Sequence, residues 1–568
     1  MKRTIALVLA LLISLSGLQV YAAGLYEEFG PTNKWTDAQW DQALSEWSDA
    51  DWETYYAEEE LQRIPALQKE LGMTNIGGAN LNIGEKYVDF GAMLPEYVGG
   101  RTMIALQTIE KPLGLSISQS GSSVAVTGAY SKLTFTIGEE PFTCLKDGET
   151  TTVKTDAAAY VGANGGIYVP IRFAAEALGY DFFWVSGLNA MYIVDKTALI
   201  AEVDKNMSII NKLLSSSKTD LDTTYESTSK ISLKGVLYGD SKDDVLCLDL
   251  SANSISKGLN VSMNGKLALD TKDFSDTLLA GSDEETKAIL KALENTSFDI
   301  IANADNQTMY IKTPLFKFLG RDDIPENAWL QSGYYSNDLL DAYTEEIPSV
   351  GAMTYESAFA GLASGYLSYY YFSSPGEDAY DTFRSSAALM NVIMGDSAFT
   401  TGVSGSTTTY DLKMDQTVFL ARALLYGGNL LDLGLDFSLG SLPKFNVAAQ
   451  FKETNGVITY TKLEGKIDDI SAGSSYASML PIGVNFKIEG DETKSSGSFS
   501  FTGRYVGKID LTVDSTVKKS DKTVPAAPPS NDTIVSDILP RPIPFEQDEI
   551  WDAYSKTLAA IDKALGGF

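Results

Sequence analysis

Hydrophobic and polar positions change their period several times along this chain, and each change marks an element. From Gly166 to Trp184 a short β-rich run, Ile167 to Ile171, gives way to good helix formers from Arg172 to Leu178. Gly179 then stands where a helix takes a left-handed residue after its last turn. Tyr180 to Trp184 is aromatic, Ser186-Gly187 is a turn signal and Ala190 to Val194 is a second β run, so the pattern predicts strand, helix, hairpin. Sixty-five residues earlier, Arg101 to Leu115 aligns without a gap, Ile104 on Val169, Leu106 on Ile171, Leu113 on Leu178 and Gly114 on Gly179. A spacing that keeps strand, helix and closing glycine together predicts internal repetition.

The remaining pattern alternates helical and strand-like stretches. Residues 31–72 are acidic and Trp-rich; Trp40, Ala43, Leu44 and Trp47 form a helical stripe that predicts an arm packed on its own protein. Thr197 to Leu214 predicts a helix at the entry to a new domain. Ile231–Tyr238 and Val245–Leu250 flank a polar turn and predict a β-hairpin; Leu259–Leu269, Phe298–Ala302 and Thr308–Lys312 extend it, with a helical interruption from Ser275 to Leu293. Residues 339–400 are helical again, Phe419–Leu433 is an apolar helix, and alternating strands run from Phe445 to Val513. Helix followed by antiparallel meander thus occurs twice, predicting two related β-rich halves. Six of the eighteen prolines lie between Pro525 and Pro544, which predicts an extended linker before an amphipathic helix carrying Ile550, Tyr554, Leu558, Ile561 and Leu565.

Two resemblances rest on these residues. Val169, Pro170, Arg172, Glu176, Gly179 and Trp184, with Arg101 and Gly114 in the earlier copy, resemble the repeat of the stalk domain called the copper amine oxidase N-terminal-like domain, over about residues 80–196. In the earlier copy Ala105 and Gln107 replace the motif's proline and arginine. The resemblance implies a secreted protein of a Gram-positive bacterium and an accessory domain, not oxidation: copper amine oxidases hold their metal with three histidines, and this chain has none. Met309–Pro314 and Trp329–Ser332 weakly resemble the half-barrel of bacterial lipoprotein carriers, where a curved sheet wraps an apolar cavity; a filled core satisfies the same alternation.

Bulk properties narrow the function classes. A chain of 568 residues with 44% hydrophobic content can bury more than one core. Lys2 and Arg3, the apolar run Ile5–Leu18 and the small-x-small site Val20-Tyr21-Ala22 form a secretory signal, and no cysteine follows Ala22 to take a lipid. No later stretch predicts a membrane span. A net charge of −31 opposes binding to nucleic acid or an anionic membrane. Cys144 and Cys247 are the only cysteines, and a disulfide between them is as well supported as two free thiols.

Catalytic machinery is hard to assemble from this composition. Without histidine there is no Ser-His-Asp or Cys-His nucleophile and no imidazole metal site. Gly402-Val-Ser404-Gly405 lacks the spacing of a nucleophile elbow, and the Ser-x-x-Lys matches, such as Ser215/Lys218 and Ser515/Lys518, lack their partner motifs. A carboxylate pair of a glycosidase is the remaining catalytic option. Asp240/Asp243/Asp244 and Asp322/Asp323/Glu326 offer oxygen ligands without EF-hand spacing, so Ca²⁺ is a candidate but not predicted.

The expectation is therefore an α+β, multidomain chain. Its segments are 1–22 signal, 23–79 helical arm, 80–196 stalk-type repeats, 197–338 first β half, 339–404 helical insert, 405–523 second β half, 524–544 linker and 545–568 amphipathic helix. No cofactor, metal site or catalytic residue is expected. The function expected is non-catalytic attachment, spacing or binding outside the cell, with a cell-wall component or surface protein as partner. A carrier of an apolar ligand and a carboxylate-dependent glycosidase are the alternatives.

Overall fold

The computed structural model describes residues 64–216, 220–237, 244–273, 290–319, 324–333, 347–363, 375–427, 444–468, 481–503 and 507–536. The signal, most of the Trp-rich arm, the helical interruption up to residue 289 and the C-terminal amphipathic helix lie outside them. The architecture is α+β and β-rich, with one large sheet, several small ones and helices packed between.

The first unit holds thirteen strands and two short helices. Strands β1 (Asn80–Ile83), β2 (Lys86–Tyr87), β3 (Glu96–Val98) and β4 (Arg101–Ala105) lead into helix α1 (Leu106–Glu110). A meander follows: β5 (Ser116–Ser120), β6 (Ser123–Thr127), β7 (Lys132–Thr136), β8 (Pro141–Lys146) and β9 (Glu149–Lys154). Strands β10 (Tyr160–Val161) and β11 (Ile167–Pro170), helix α2 (Ile171–Ala177), and strands β12 (Asp181–Val185) and β13 (Ala190–Val194) complete it. The two stretches aligned in sequence fold alike, as strand, helix and positive-φ glycine, and β4 pairs antiparallel with β11 so that Ile104 faces Val169. Their glycines are in the left-handed region, Gly114 at φ +61° and Gly179 at φ +93°, where a side chain is strained.

Helices α3 (Lys196–Asp204) and α4 (Ser208–Ser215) carry the chain into the body. Strands β14 (Thr224–Leu237), β15 (Asp244–Lys257), β16 (Asn260–Asp273), β17 (Thr296–Asn303), β18 (Thr308–Lys312) and β19 (Trp329–Gly333) form the first strand run. Helices α5 (Val350–Ala363) and α6 (Pro375–Met394) separate it from β20 (Phe399–Ser404) and β21 (Thr407–Asp415). Helix α7 (Gln416–Tyr426) then precedes β22 (Lys444–Thr454), β23 (Val457–Asp468), β24 (Pro481–Asp491), β25 (Lys494–Gly503) and β26 (Gly507–Lys519), and β27 (Ile534–Ser536) comes last.

Both runs belong to one fourteen-stranded sheet. Its order is β20-β21-β22-β23-β24-β25-β26-β14-β15-β16-β17-β18-β19-β27, antiparallel except for the last pair. The seam is β26 against β14, with Val513 opposite Ile231 and Leu511 opposite Leu233. Alternation puts the apolar residues of the long strands on one face. Along β20 to β25 that face meets the helices: Phe399, Leu412, Met414, Phe451, Leu463 and Ile488 share one core with Phe359, Phe383 and Phe419.

The same core reaches the first unit. Val185, Tyr192 and Val194 pack into it, and Phe183 of β12 stacks 6.3 Å from Phe359 of α5. The Tyr355 hydroxyl donates to Asp181 at 2.9 Å, and Arg384 of α6 pairs with Glu85. Cys144 is buried and Cys247 half-buried, and both thiols are free.

Candidate functional site

The face opposite the apolar one is polar, and near one end of the strands it is hollow. Register builds it in cross-strand rows. One row runs Glu489, Ser496, Asp514, Lys230 across β24, β25, β26 and β14. A second runs Lys494, Thr516, Thr228, Asn253, Asn264 from β25 to β16. A third sets Lys518 against Glu226, Ile255 and Ser262. These side chains line two hollows of about 600 and 450 Å³ that share Thr228 and Thr516, forming one trough that reaches Tyr460 on β23.

Its chemistry is hydroxyl, amide and paired charge. Thr228 donates to the Asn253 side chain at 2.9 Å, and the Lys452 ammonium lies 4.9 Å from the centre of the Tyr460 ring. Glu226 accepts hydrogen bonds from Ser520 at 2.6 Å and faces Lys518 and Lys522, each at 3.0 Å. The Ser520 hydroxyl first, and then the two ammonium groups, hold the Glu226 carboxyl down at about 2. Glu489 is partnered by Lys487 at 2.9 Å. Among the described residues, no carboxylate comes within ion-pair distance of Lys230 or Lys494.

The residues singled out in the sequence serve the first unit's own fold. Val169 is buried in its core, with Trp184 packed partly against the same cluster. Pro170 ends β11 as the residue before α2, and Arg172 pairs with Glu176 at 2.9 Å on the exposed side of that helix. Arg101 pairs with Asp156, and its guanidinium holds the Asp156 carboxyl below its ordinary range. Gly179 lies under Tyr130, whose Cβ is 2.9 Å from where a Cβ would stand, and Gly114 ends the first copy's helix turn. Of the two acidic clusters, only Asp244 and Glu326 fall within the described residues.

The trough was not visible in the sequence as a site. Its only trace there is the alternation of Ser, Thr, Asn, Lys and acids along strands distant in the chain, which reads as an ordinary solvated face. Register alone brings Thr228 beside Thr516.

The model of the copper amine oxidase N-terminal domain matches residues 82–193 and 147–220. This stretch, about a quarter of the chain, therefore has the stalk-type domain that its motifs resemble, and that domain is a non-catalytic one. No curated protein matches the chain. Among solved structures, the transport unit of the autotransporter AIDA-I from Escherichia coli aligns with 55% of this chain and 97% of its own, at 10% identity and a TM-score of 0.12. A score that low carries no argument about this fold. No described helix is long and apolar enough to cross a membrane.

Proposed function

We propose that this is a non-catalytic binding protein of the Gram-positive cell exterior. The stalk-type domain attaches or spaces the molecule, and the large sheet binds a cell-wall component. The observation that carries this reading is the trough, a hydrogen-bonding surface whose lining residues come from seven neighbouring strands of one sheet. The domain match supports an accessory, non-catalytic role for residues 82–220. The secretory signal, the motif resemblance and the acidic composition support the location.

Co-sedimentation of the full chain with purified cell walls, with and without Ca²⁺, tests it. The chain is expected to pellet with walls, and failure to pellet under both conditions overturns the reading. Release of wall sugars, lost on substitution of Glu489 and Asp514, would instead make it a glycosidase. Those two carboxylates stand on either side of Ser496 in one row.

A second reading, a carrier of an apolar ligand, is favoured by the other face. Ile231, Leu233, Leu248, Leu250, Leu267, Leu511 and Val513 are only half-buried there, in line with the buried row that the helices cover. Along the same strands this face turns to serine, with Ser227 bonded to Ser254 and Ser229 to Ser515. Mass spectrometry of lipid carried by the purified chain separates the two readings.

A further inference from the structure

We infer that the trough binds a linear, uncharged polysaccharide laid across the strands. The inference rests on the reading that the sheet is the binding surface, and it names the ligand class. Four observations carry it.

The trough is long. Its lining residues come from seven consecutive strands, from Tyr460 on β23 to Ser262 and Asn264 on β16. Six spacings of about 4.8 Å make a path of about 29 Å. The two hollows meet at Thr228 and Thr516, so one chain can occupy both. A compact metabolite would leave most of this path empty.

The trough is nearly neutral in a strongly acidic protein. Lys230, Lys494, Lys518 and Lys522 face Glu226, Glu489 and Asp514, whereas the whole chain carries −31. The protein's field repels a polyanion, and the lysines oppose a polycation. An uncharged polymer meets neither penalty.

The side chains match sugar hydroxyls. Ser496, Thr516, Thr228, Ser262, Asn253 and Asn264 both donate and accept, as a hydroxyl requires. Lys230 and Lys494 add ammonium donors that have no described carboxylate within ion-pair distance.

The surface does not suit a peptide. A peptide strand adds to a free sheet edge, and every strand under the trough is paired on both sides. Ile255 and Val517 are the aliphatic residues in the lining, and Val517 alternates with Thr516 and Lys518 onto the other face of the sheet, so a series of pockets for alternate apolar side chains is missing from it.

Titration calorimetry of the full chain tests the inference, using di-, tetra- and hexasaccharides of β-linked N-acetylglucosamine and of β-linked glucose. Affinity should rise from disaccharide to hexasaccharide by about tenfold or more in at least one series. Thr228→Trp and Thr516→Trp, which fill the floor, should each weaken the hexasaccharide by about tenfold. Where a Trp variant fails to fold by circular dichroism, Lys494→Ala and Asn264→Ala decide, each weakening it about threefold or more. No binding in either series, equal affinity at all lengths, or folded variants that bind like the parent would each overturn the inference. Wall sedimentation keeps the two claims apart: if trough variants still pellet with walls, the wall-binding reading stands and the trough assignment falls.

Discussion

Individual residues decide where the strands' rings can pack and where the sheet's charges settle. Gly265 and Gly465 lie on the apolar face, and a Cβ at either would stand 2.3 or 2.4 Å from the Phe298 or Phe486 ring on the neighbouring strand. Each aromatic ring lies over backbone that a glycine leaves bare, so a side chain at either position would displace the ring. Glu226 is the residue whose titration should be felt. Its carboxyl is held at about 2, below its ordinary 4.5, so its contribution is fully present above that value. The contribution falls away as pH drops from 4.5 towards 2, because the unfolded state takes up the proton first. Glu226→Gln is therefore expected to flatten the pH dependence of the thermal midpoint across that window. Identical slopes in the parent and the variant would show that the Ser520, Lys518 and Lys522 contacts do not stabilise the fold.

Elements follow from local pattern more than their partners do. The run Gly166 to Val194 gives strand, helix and hairpin close to the predicted positions, because a glycine at φ +93° and an aromatic strand leave few alternatives. The meander β5 to β9 lies between the two aligned stretches. Its short, Ser- and Thr-rich strands carry weak periodicity, and the sequence pattern did not separate them. The seam strand β26 is the element on which the large sheet depends. Val513→Pro removes an N–H from the ladder between β25 and β14 and is expected to cost at least ~1–3 kcal/mol. Hydrogen exchange should then quicken in β22–β25 and in β15–β17 alike. Loss confined to the immediate neighbours of β26 would mean that the two strand runs hold independently.

At the scale of the whole molecule, the first unit and the body share one core. Phe359 is 2% exposed and is surrounded by Phe183 from the first unit and Tyr355, Tyr380 and Phe383 from the body's helices. Its replacement by alanine should cost ~3–5 kcal/mol, since the rings around it cannot all close the gap. The effect should fall on the joint: calorimetry of Phe359→Ala is expected to resolve two transitions where the parent shows one. A single transition, merely shifted down, would show that the two units remain coupled without this cluster.

The sequence by itself determined the strand-helix-hairpin run from Gly166 to Val194, the stalk-type motif and the residue types available for chemistry, because these depend on residue type and short spacing. Glycines at helix ends, apolar alternation and the lack of histidine act locally, and no fold changes them. Only the tertiary structure decided that both strand runs enter one sheet, that Cys144 and Cys247 stay unpaired, and that Thr228 meets Thr516 on the floor of a trough. Pairing between strands nearly three hundred residues apart is set by which apolar faces can be buried together, and each strand's own alternation is satisfied by many partners.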